Sequence, residues 1–246
     1  MSQPESVPER PPRAASATAA RPDGADRRRD PEETKLRLLD AAEHLFAERG
    51  FDGASLRAVT QAARTSVSAA HYHFGSKEAL LAATIQRRIE PIIRARFDRL
   101  DMLEREAAGA PLAIEAILDV FLRPLFEQRA ARGDQGETFR RIAARLFSDP
   151  PPVVAGLKRQ VFGETVERFM AALERALPGH PREAIALDLQ FLVGIMVHVI
   201  SGHLEDTPGL EPGRLASLSD DEVLERMIEF AAAGLRARAA ATTGER

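Results

Sequence analysis

The sequence predicts an all-α protein of about nine helices, and three observations support this prediction. From residue 31 onwards, apolar residues recur at the 3/4 spacing that places them on one face of a helix. No stretch shows the bounded alternation of apolar and polar residues that is typical of β-strands. Clusters of Pro and Gly interrupt the helical pattern at 150–152, 178–179 and 207–209, where they predict loops.

The chain divides into three segments of different composition. Residues 1–30 are rich in Pro, Ala and Arg and carry almost no large apolar side chain. Because such a segment buries too little surface to offset its ordering entropy, we expect a disordered arm. Residues 31–82 are expected to form a small domain with three helices. Residues 83–240 are expected to form a larger helical bundle.

Capping signals predict where the first helices begin and end. Pro31 is expected at the start of the first helix and Gly50 at its end. Ser55 and Ser66 each precede a short helix as its N-cap. Ser76 caps a long helix that is expected to run to about residue 106.

The remaining helices build the second domain. Pro91 predicts a kink in the long helix. Val166 is expected to lie in the apolar interior of this bundle. Further helical stretches are expected at about 111–131, 136–148, 152–177, 181–205 and 219–239.

Composition excludes several function classes. The 34 Lys+Arg and 37 Asp+Glu give a net charge of −3, which excludes a globally basic chain but permits a local basic surface. Without cysteine there is no disulfide, Cys-ligated metal or thiol nucleophile. With neither a signal-peptide segment nor about 18 uninterrupted apolar residues, we expect a cytoplasmic protein that does not span a membrane. No catalytic constellation or phosphate-binding Gly loop is recognisable, so we expect neither an enzyme nor a cofactor.

Residues 53–77 contain no Asp or Glu, although 29% of the chain is charged. They contain Arg57, Arg64 and Lys77 together with two His and several hydroxyl side chains. Because a carboxylate repels phosphate, a segment free of acids is what a polyanion-binding surface requires. Two short helices joined by a tight turn predict a helix-turn-helix, whose second helix enters the major groove of DNA.

Three segments of this region carry a resemblance to a known family: 39–51 (LDAAEHLFAERGF), 55–57 (SLR) and 72–80 (YHFGSKEAL). They resemble the N-terminal domain of the TetR (tetracycline-repressor) family of transcription regulators over about residues 34–82. The resemblance implies an N-terminal domain that binds double-stranded DNA. It also implies a C-terminal helical domain that binds a small-molecule effector and forms a homodimer.

One position departs from the family pattern. Arg64 stands in the turn before the second short helix, where family members usually have Gly. Gly permits a positive φ, which costs other residues about 1 kcal/mol. Either the turn is distorted, or Arg64 is tolerated there and is directed at a phosphate.

The resemblance assigns DNA contacts residue by residue. Phosphate contacts are expected from Ser55 and Arg57 at the start of the first short helix, and from Tyr72 and His73 at the end of the second. Base contacts are expected from Ser66, Val67, Ser68 and His71 on the second helix, where Val67 would meet a thymine methyl. Lys77 is expected to add its charge to the anion site at the start of the long helix. The full set is Ser55, Arg57, Arg64, Thr65, Ser66, Val67, Ser68, His71, Tyr72, His73 and Lys77.

Some of these residues have alternative interpretations. The alternative to a DNA contact for Tyr72 is a half-buried position in the core. His71 and His73 suggest a metal pair, but they lack a nearby third ligand, and the helical offset separates their rings, so we expect no metal. The run of arginines at 27–29 either contacts DNA or belongs to a solvated tail whose charge nearby acids cancel.

The stretch 191–200 within the helix at 181–205 is apolar on nearly all faces, which indicates burial on every side. One interpretation is that a partner subunit buries the side of this helix that its own chain leaves exposed. The helix at 219–239 would then lie beside it in the same interface. The alternative is a central helix of its own domain. The expected interface residues are Phe191, Ile195, Val199, Met227 and Phe230.

An effector pocket is expected inside the bundle, lined mostly by apolar side chains with a few polar ones. Its apolar balance predicts a hydrophobic or amphipathic effector. A metal at His198 and His203 is the lesser alternative. The candidate pocket residues are Phe121, Arg123, Phe126, Arg141, Phe169, Met196 and His198.

Together these features predict a dimeric repressor that binds a palindromic operator and is released by a small effector. The alternative is a helical adaptor whose helix-turn-helix does not bind DNA, which Arg64 and the net charge of −3 motivate.

Overall fold

The computed structural model describes residues 30–131, 136, 138, 140–141, 152–202, 204, 209–211, 213–215 and 217–243, all of them in helices, turns or connecting segments. The fold class is therefore the predicted all-α class. The helices are α1 (Pro31–Gly53), α2 (Leu56–Ala62), α3 (Val67–Phe74), α4 (Lys77–Ala107), α5 (Ile114–Ala131), α6 (Pro152–Ala176), α7 (Arg182–Ile200) and α8 (Asp220–Thr243). The described residues among 136–141 are also helical.

Several predictions of the sequence lie outside the described residues. These are the arm up to residue 29, most of the expected helix at 136–148, the loops at 150–151 and 207–208, and the metal alternative through His203.

The predicted caps are confirmed. The hydroxyls of Ser55, Ser66 and Ser76 each accept a hydrogen bond, over 3.1 Å, from the backbone N–H three residues further on. Gly50 has a φ of 71° and interrupts the helical geometry of α1 where the sequence predicts a stop. Short-range capping chemistry therefore sets the limits of the first four helices.

Other boundaries differ from the predictions. α5 begins at Ile114 rather than near 111, and α7 ends at Ile200 rather than at 205. The long helix α4 continues through Pro91, where the kink stays a prediction. Val166, expected in the core, is 38% exposed, because it lies on the outward face of α6.

The two predicted domains have separate apolar cores. Leu38, Phe46, Val59 and Leu80 belong to the first core, which holds α1 to α3 against the start of α4. The second core lies between α4 and α8, where α5 packs against α4, α6 and α8, and α7 against α6 and α8. Ile89 on α4 packs against both cores, so this one helix belongs to both domains.

The helix α7 has the length and apolar composition of a membrane span, with a mean hydropathy of 1.8. It is not an uninterrupted apolar run, because charged residues lie within the stretch. Core helices of soluble proteins have the same composition, and 33% of its apolar window is buried inside the single chain. Composition therefore leaves open what covers the rest of α7.

Candidate nucleic-acid interface

The helix α3 presents one face to its own domain and another to solvent. Ala70 is 1% exposed and anchors the inner face in the N-terminal core. Val67, Ser68, His71 and Tyr72 are exposed. Because these four residues are spaced at i, i+1, i+4 and i+5, they share the opposite face of the helix. The structure therefore brings together most of the predicted base-contacting residues on one exposed surface.

The turn between α2 and α3 has a Schellman geometry with an unusual residue in it. The N–H of Thr65 donates to the carbonyl of Thr60 over 2.9 Å, and that of Arg64 donates to the carbonyl of Gln61 over 3.1 Å. This pattern requires a left-handed residue at the position of Arg64, which is usually Gly. Arg64 has a φ of 52°. The turn thus keeps its geometry, and Arg64 adopts the strained conformation with its side chain exposed.

The imidazole of His71 is oriented by the end of its own helix. Its Nδ1 lies 2.7 Å from the carbonyl oxygen of Gly75. A carbonyl oxygen only accepts, so Nδ1 carries a proton and donates it. In the neutral ring Nε2 is then an acceptor, which can receive a hydrogen bond from the amino group of cytosine or adenine.

Tyr72 is 83% exposed, which excludes the alternative of a half-buried core tyrosine. Its ring meets that of His73 edge to face, with centroids 5.2 Å apart. Within the described residues, the Tyr72 hydroxyl has no hydrogen-bond partner, so it remains available to an external acceptor such as a phosphate.

Four of the predicted DNA-contacting residues lie at or near helix starts, and three of them have additional roles. The hydroxyls of Ser55 and Ser66 accept capping hydrogen bonds, which leaves the proton of each hydroxyl for donation. Arg57 is exposed on α2. The ammonium of half-buried Lys77 lies 4.1 Å from the centroid of the Phe51 ring, a cation–π contact that holds it beside the start of α4.

A carboxylate lies beside this predicted anion site. Glu78 follows Lys77 in the first turn of α4, and hydrogen bonds from its own backbone N–H and from Ser76 lower its pKa. Glu78 is therefore ionised at neutral pH and competes with a phosphate for the start of α4. The acid-free segment ends one residue before it.

An ion-pair cluster holds α1 against α4. Glu43 is buried and accepts hydrogen bonds from Arg87 and Arg88, each over 2.8 Å. Arg87 also donates to Asp40 over 2.8 Å. The two arginines of α4 therefore tie the helix-turn-helix to the helix that enters the second core.

Two family profiles match most of the described chain. The profile of bacterial regulatory proteins of the tetR family matches residues 38–84, and the profile of tetracyclin repressor-like C-terminal domains matches residues 119–234. The chain belongs to the TetR family. It therefore carries both the N-terminal and the C-terminal part of this family of regulatory proteins, in the order that the family resemblance implied.

Individual relatives support the same assignment. The HTH-type transcriptional regulator UidR of Escherichia coli K12 is 42% identical over 52 residues, which are 21% of this chain and 26% of that protein. A putative transcriptional regulator from Pseudomonas aeruginosa PAO1 has a TM-score of 0.58 at 19% identity, over 86% of this chain and 96% of its own. The fatty acid degradation regulator FadR from Bacillus halodurans has a TM-score of 0.58 at 15% identity, over 82% of this chain and 96% of its own. At this identity the two structures show a shared fold.

In the C-terminal domain of this TetR-family chain, two of the predicted pocket residues are in contact. The rings of Phe121 and Phe169 pack edge to face with centroids 5.0 Å apart, and both residues are buried, as is Met196. Phe126 is also buried, at 4% exposure. These four side chains lie in the interior of the bundle, and their role in a pocket stays a prediction.

The polar members of the predicted pocket lie elsewhere. Arg123 forms ion pairs with Asp119 and Asp221 at 2.7 and 3.2 Å, which raise its pKa. Arg141 and His198 are exposed. None of the three contributes a buried polar group to the interior of the bundle.

That interior also contains a buried cation that was not predicted from the sequence. Arg96 is 3% exposed and contacts both Phe121 and Met196. A signal was present in the sequence. Ile92 and Leu100, one turn before and one turn after Arg96, are both apolar and buried, so the spacing of α4 places Arg96 on its inner face.

The predicted interface residues fall into two groups. Phe191 and Phe230 are 53% and 70% exposed, and Ile195 is partly buried beside them. All three line an apolar cavity of about 240 Å³ between α5, α6, α7 and α8. Val199 and Met227, each 6% exposed, lie instead in the core of their own chain, so they are not available to a partner.

Metal binding has no support in the described part of the chain. Among these residues, no group of three His, Cys, Asp or Glu side chains is arranged to hold a metal ion.

Proposed function

We propose that this TetR-family regulator is a homodimeric repressor in the cytoplasm, which binds a palindromic operator and is released by a small apolar or amphipathic effector. The exposed face of α3 is the observation that carries this proposal. It combines Val67, Ser68, His71 and Tyr72 within a segment free of acids. Such a surface fits the major groove and does not repel the phosphates.

Dimerisation is supported by the exposed aromatic rings on the last two helices. Phe191 on α7 and Phe230 on α8 are large apolar side chains left in solvent beside an apolar cavity. A second copy related by a two-fold axis would bury them against their own equivalents. Such a dimer would place two α3 helices about 34–36 Å apart, one turn of DNA, which requires a palindromic site.

The operator is tested by selection from a random DNA pool with the purified full chain, followed by fluorescence anisotropy on the selected duplex. We expect a palindrome whose half-site centres lie about 10 base pairs apart or a multiple of that. Arg57→Ala should weaken binding to all sequences and reduce the salt slope by about one. The matched control, Arg94→Ala on the exposed face of α4, should change neither.

A second readout uses the single tyrosine. The chain has no tryptophan, so its fluorescence comes from Tyr72. Specific DNA should change the Tyr72 emission, because the exposed ring would meet the backbone of the duplex. If no sequence is enriched and the emission does not change at low salt, the adaptor alternative replaces the repressor.

A further inference from the structure

Arg96 is a charged side chain in the middle of the C-terminal core. It projects from α4 at a position flanked by Ile92 and Leu100, which are 2% and 0% exposed. Two other arginines of α4, Arg87 and Arg88, donate hydrogen bonds to carboxylates on α1. Arg96 is thus placed differently from its neighbours along the same helix.

All contacts of Arg96 within the described residues are neutral. Its Nε donates to the backbone carbonyl of Phe121 over 2.6 Å, and its Nη2 lies 3.8 Å from the sulfur of Met196. Its guanidinium carbon lies 4.1 Å from the centroid of the Phe121 ring. No carboxylate of the described chain lies within ion-pair distance, and Nη1 makes no hydrogen bond there.

A buried cation without a counter-charge is costly. Desolvation lowers the pKa of Arg96 to about 9, which still leaves the guanidinium charged at neutral pH. Proteins normally pair buried charges, and an arginine presents a planar fork that matches a carboxylate or a phosphate in two parallel hydrogen bonds. Within the described residues this charge has no counter-ion, and a carboxylate or a phosphate has the chemistry to supply one.

We propose that Arg96 binds the anionic head group of the effector, a carboxylate or phosphate attached to an apolar body. Phe121, Phe169 and Met196 would form the apolar surroundings of that head group. This inference rests on the proposed ligand response and narrows it from an apolar or amphipathic compound to an amphipathic anion. The position of Arg96 on α4, eight residues after Arg88, places the head group on the helix that is tied to the DNA-binding domain.

Calorimetry on the full chain tests the proposal with matched probes. Even-numbered straight-chain alkanoates, from hexanoate to tetradecanoate, and the corresponding alkyl phosphates are compared at submicellar concentration with the 1-alkanols of the same length. Wild type should bind the best anion of either series at least about tenfold more tightly than its alcohol, because hydrogen bonds to a buried charge are strong. The two anion series distinguish a carboxylate from a phosphate head group.

Two variants separate a binding role from a structural one. Arg96→Gln keeps a donor for the Phe121 carbonyl but removes the charge, so it should lose the preference for the anion while still binding the alcohol. Arg96→Lys keeps the charge and should retain a weaker preference, which tests the proposal even if Arg96→Gln does not fold. The control Arg94→Met removes an exposed arginine that pairs with Glu90, and should bind like wild type.

Equal affinity of wild type for anion and alcohol, absence of binding to every anion, or an unchanged preference in Arg96→Gln would each overturn the proposal. DNA binding is measured separately by anisotropy. A chain that selects an operator but shows no anion preference contradicts only the assignment of Arg96, whereas failure to bind DNA contradicts the repressor function.

Discussion

The Nε atom of Arg88 donates a hydrogen bond to Oε2 of Glu43 over 2.8 Å, while Nη2 of the same guanidinium lies 2.6 Å from Oε1. The side chains are only 13% and 4% exposed, and the pair joins α4 to α1 across the boundary between the two cores. The buried ion pair therefore fixes α4 against α1 of the N-terminal core.

Glu43→Ala should lower the free energy of unfolding by about 3 kcal/mol, because it leaves two arginines without their buried partner. Urea denaturation followed by Tyr72 fluorescence measures this free energy for the N-terminal domain, which contains both Glu43 and Tyr72. The neighbouring His44→Ala removes an exposed pair with Glu48 at 3.2 Å and should cost less than about 1 kcal/mol. Equal losses in the two variants would contradict a structural role for the buried pair.

Arg64→Gly should stabilise the chain by up to about 1 kcal/mol, because glycine adopts the positive φ of this turn without strain. The same variant should bind DNA more weakly if the Arg64 side chain contacts a phosphate. Ala108→Gly is a matched control, since Ala108 has a φ of 48° at the end of α4 and lies outside the candidate DNA interface. It should be stabilised similarly while its DNA affinity stays unchanged.

Phe230→Asp should produce a monomer, because it places a charge in the proposed apolar interface. A central aromatic residue of an interface contributes about 2 kcal/mol or more, so the dimer dissociation constant should rise at least about 30-fold. Light scattering after size-exclusion chromatography measures the mass. The control Leu36→Asp alters a residue on α1 that is 50% exposed, and should remain a dimer.

Glu222→Gln should destabilise α8 at neutral pH and have little effect in acid. The N–H and hydroxyl of Ser219 donate to the Glu222 carboxylate over 2.7 and 2.8 Å, and these hydrogen bonds lower its pKa from an ordinary value of 4.5. A lowered carboxylate pKa adds stability that is complete above the ordinary value and is lost as the pH falls through the lowered one.

Thermal denaturation of wild type and Glu222→Gln between pH 7 and about 3 measures this difference. The gap in melting temperature should shrink below pH 4.5, the ordinary value for the side chain. Glu225→Gln removes the same charge one turn later, away from the hydrogen bonds between Ser219 and Glu222. It should show a smaller gap at pH 7. A gap that does not depend on pH would contradict the capping role of the Glu222 carboxylate.

The sequence by itself determined the features that depend on near neighbours. Ser55, Ser66 and Ser76 cap helices because a hydroxyl reaches an N–H only three residues away. The all-α class followed from apolar periodicity, and the exposed face of α3 from the acid-free motif and its family resemblance. For Arg64 the sequence left open whether the turn is distorted, and the structure shows that the turn keeps its geometry with a positive φ at Arg64.

Only the tertiary structure decided which side of each helix faces which neighbour. A helix apolar all round, such as α7, does not specify its outward face, so Phe191 is exposed whereas Val199 is buried. Arg96 was missed because charge is a local signal for exposure, and burial of this cation depends on α5 and α7 meeting α4 around it. Contacts between residues far apart in the chain arise from packing, which the local pattern constrains but does not choose.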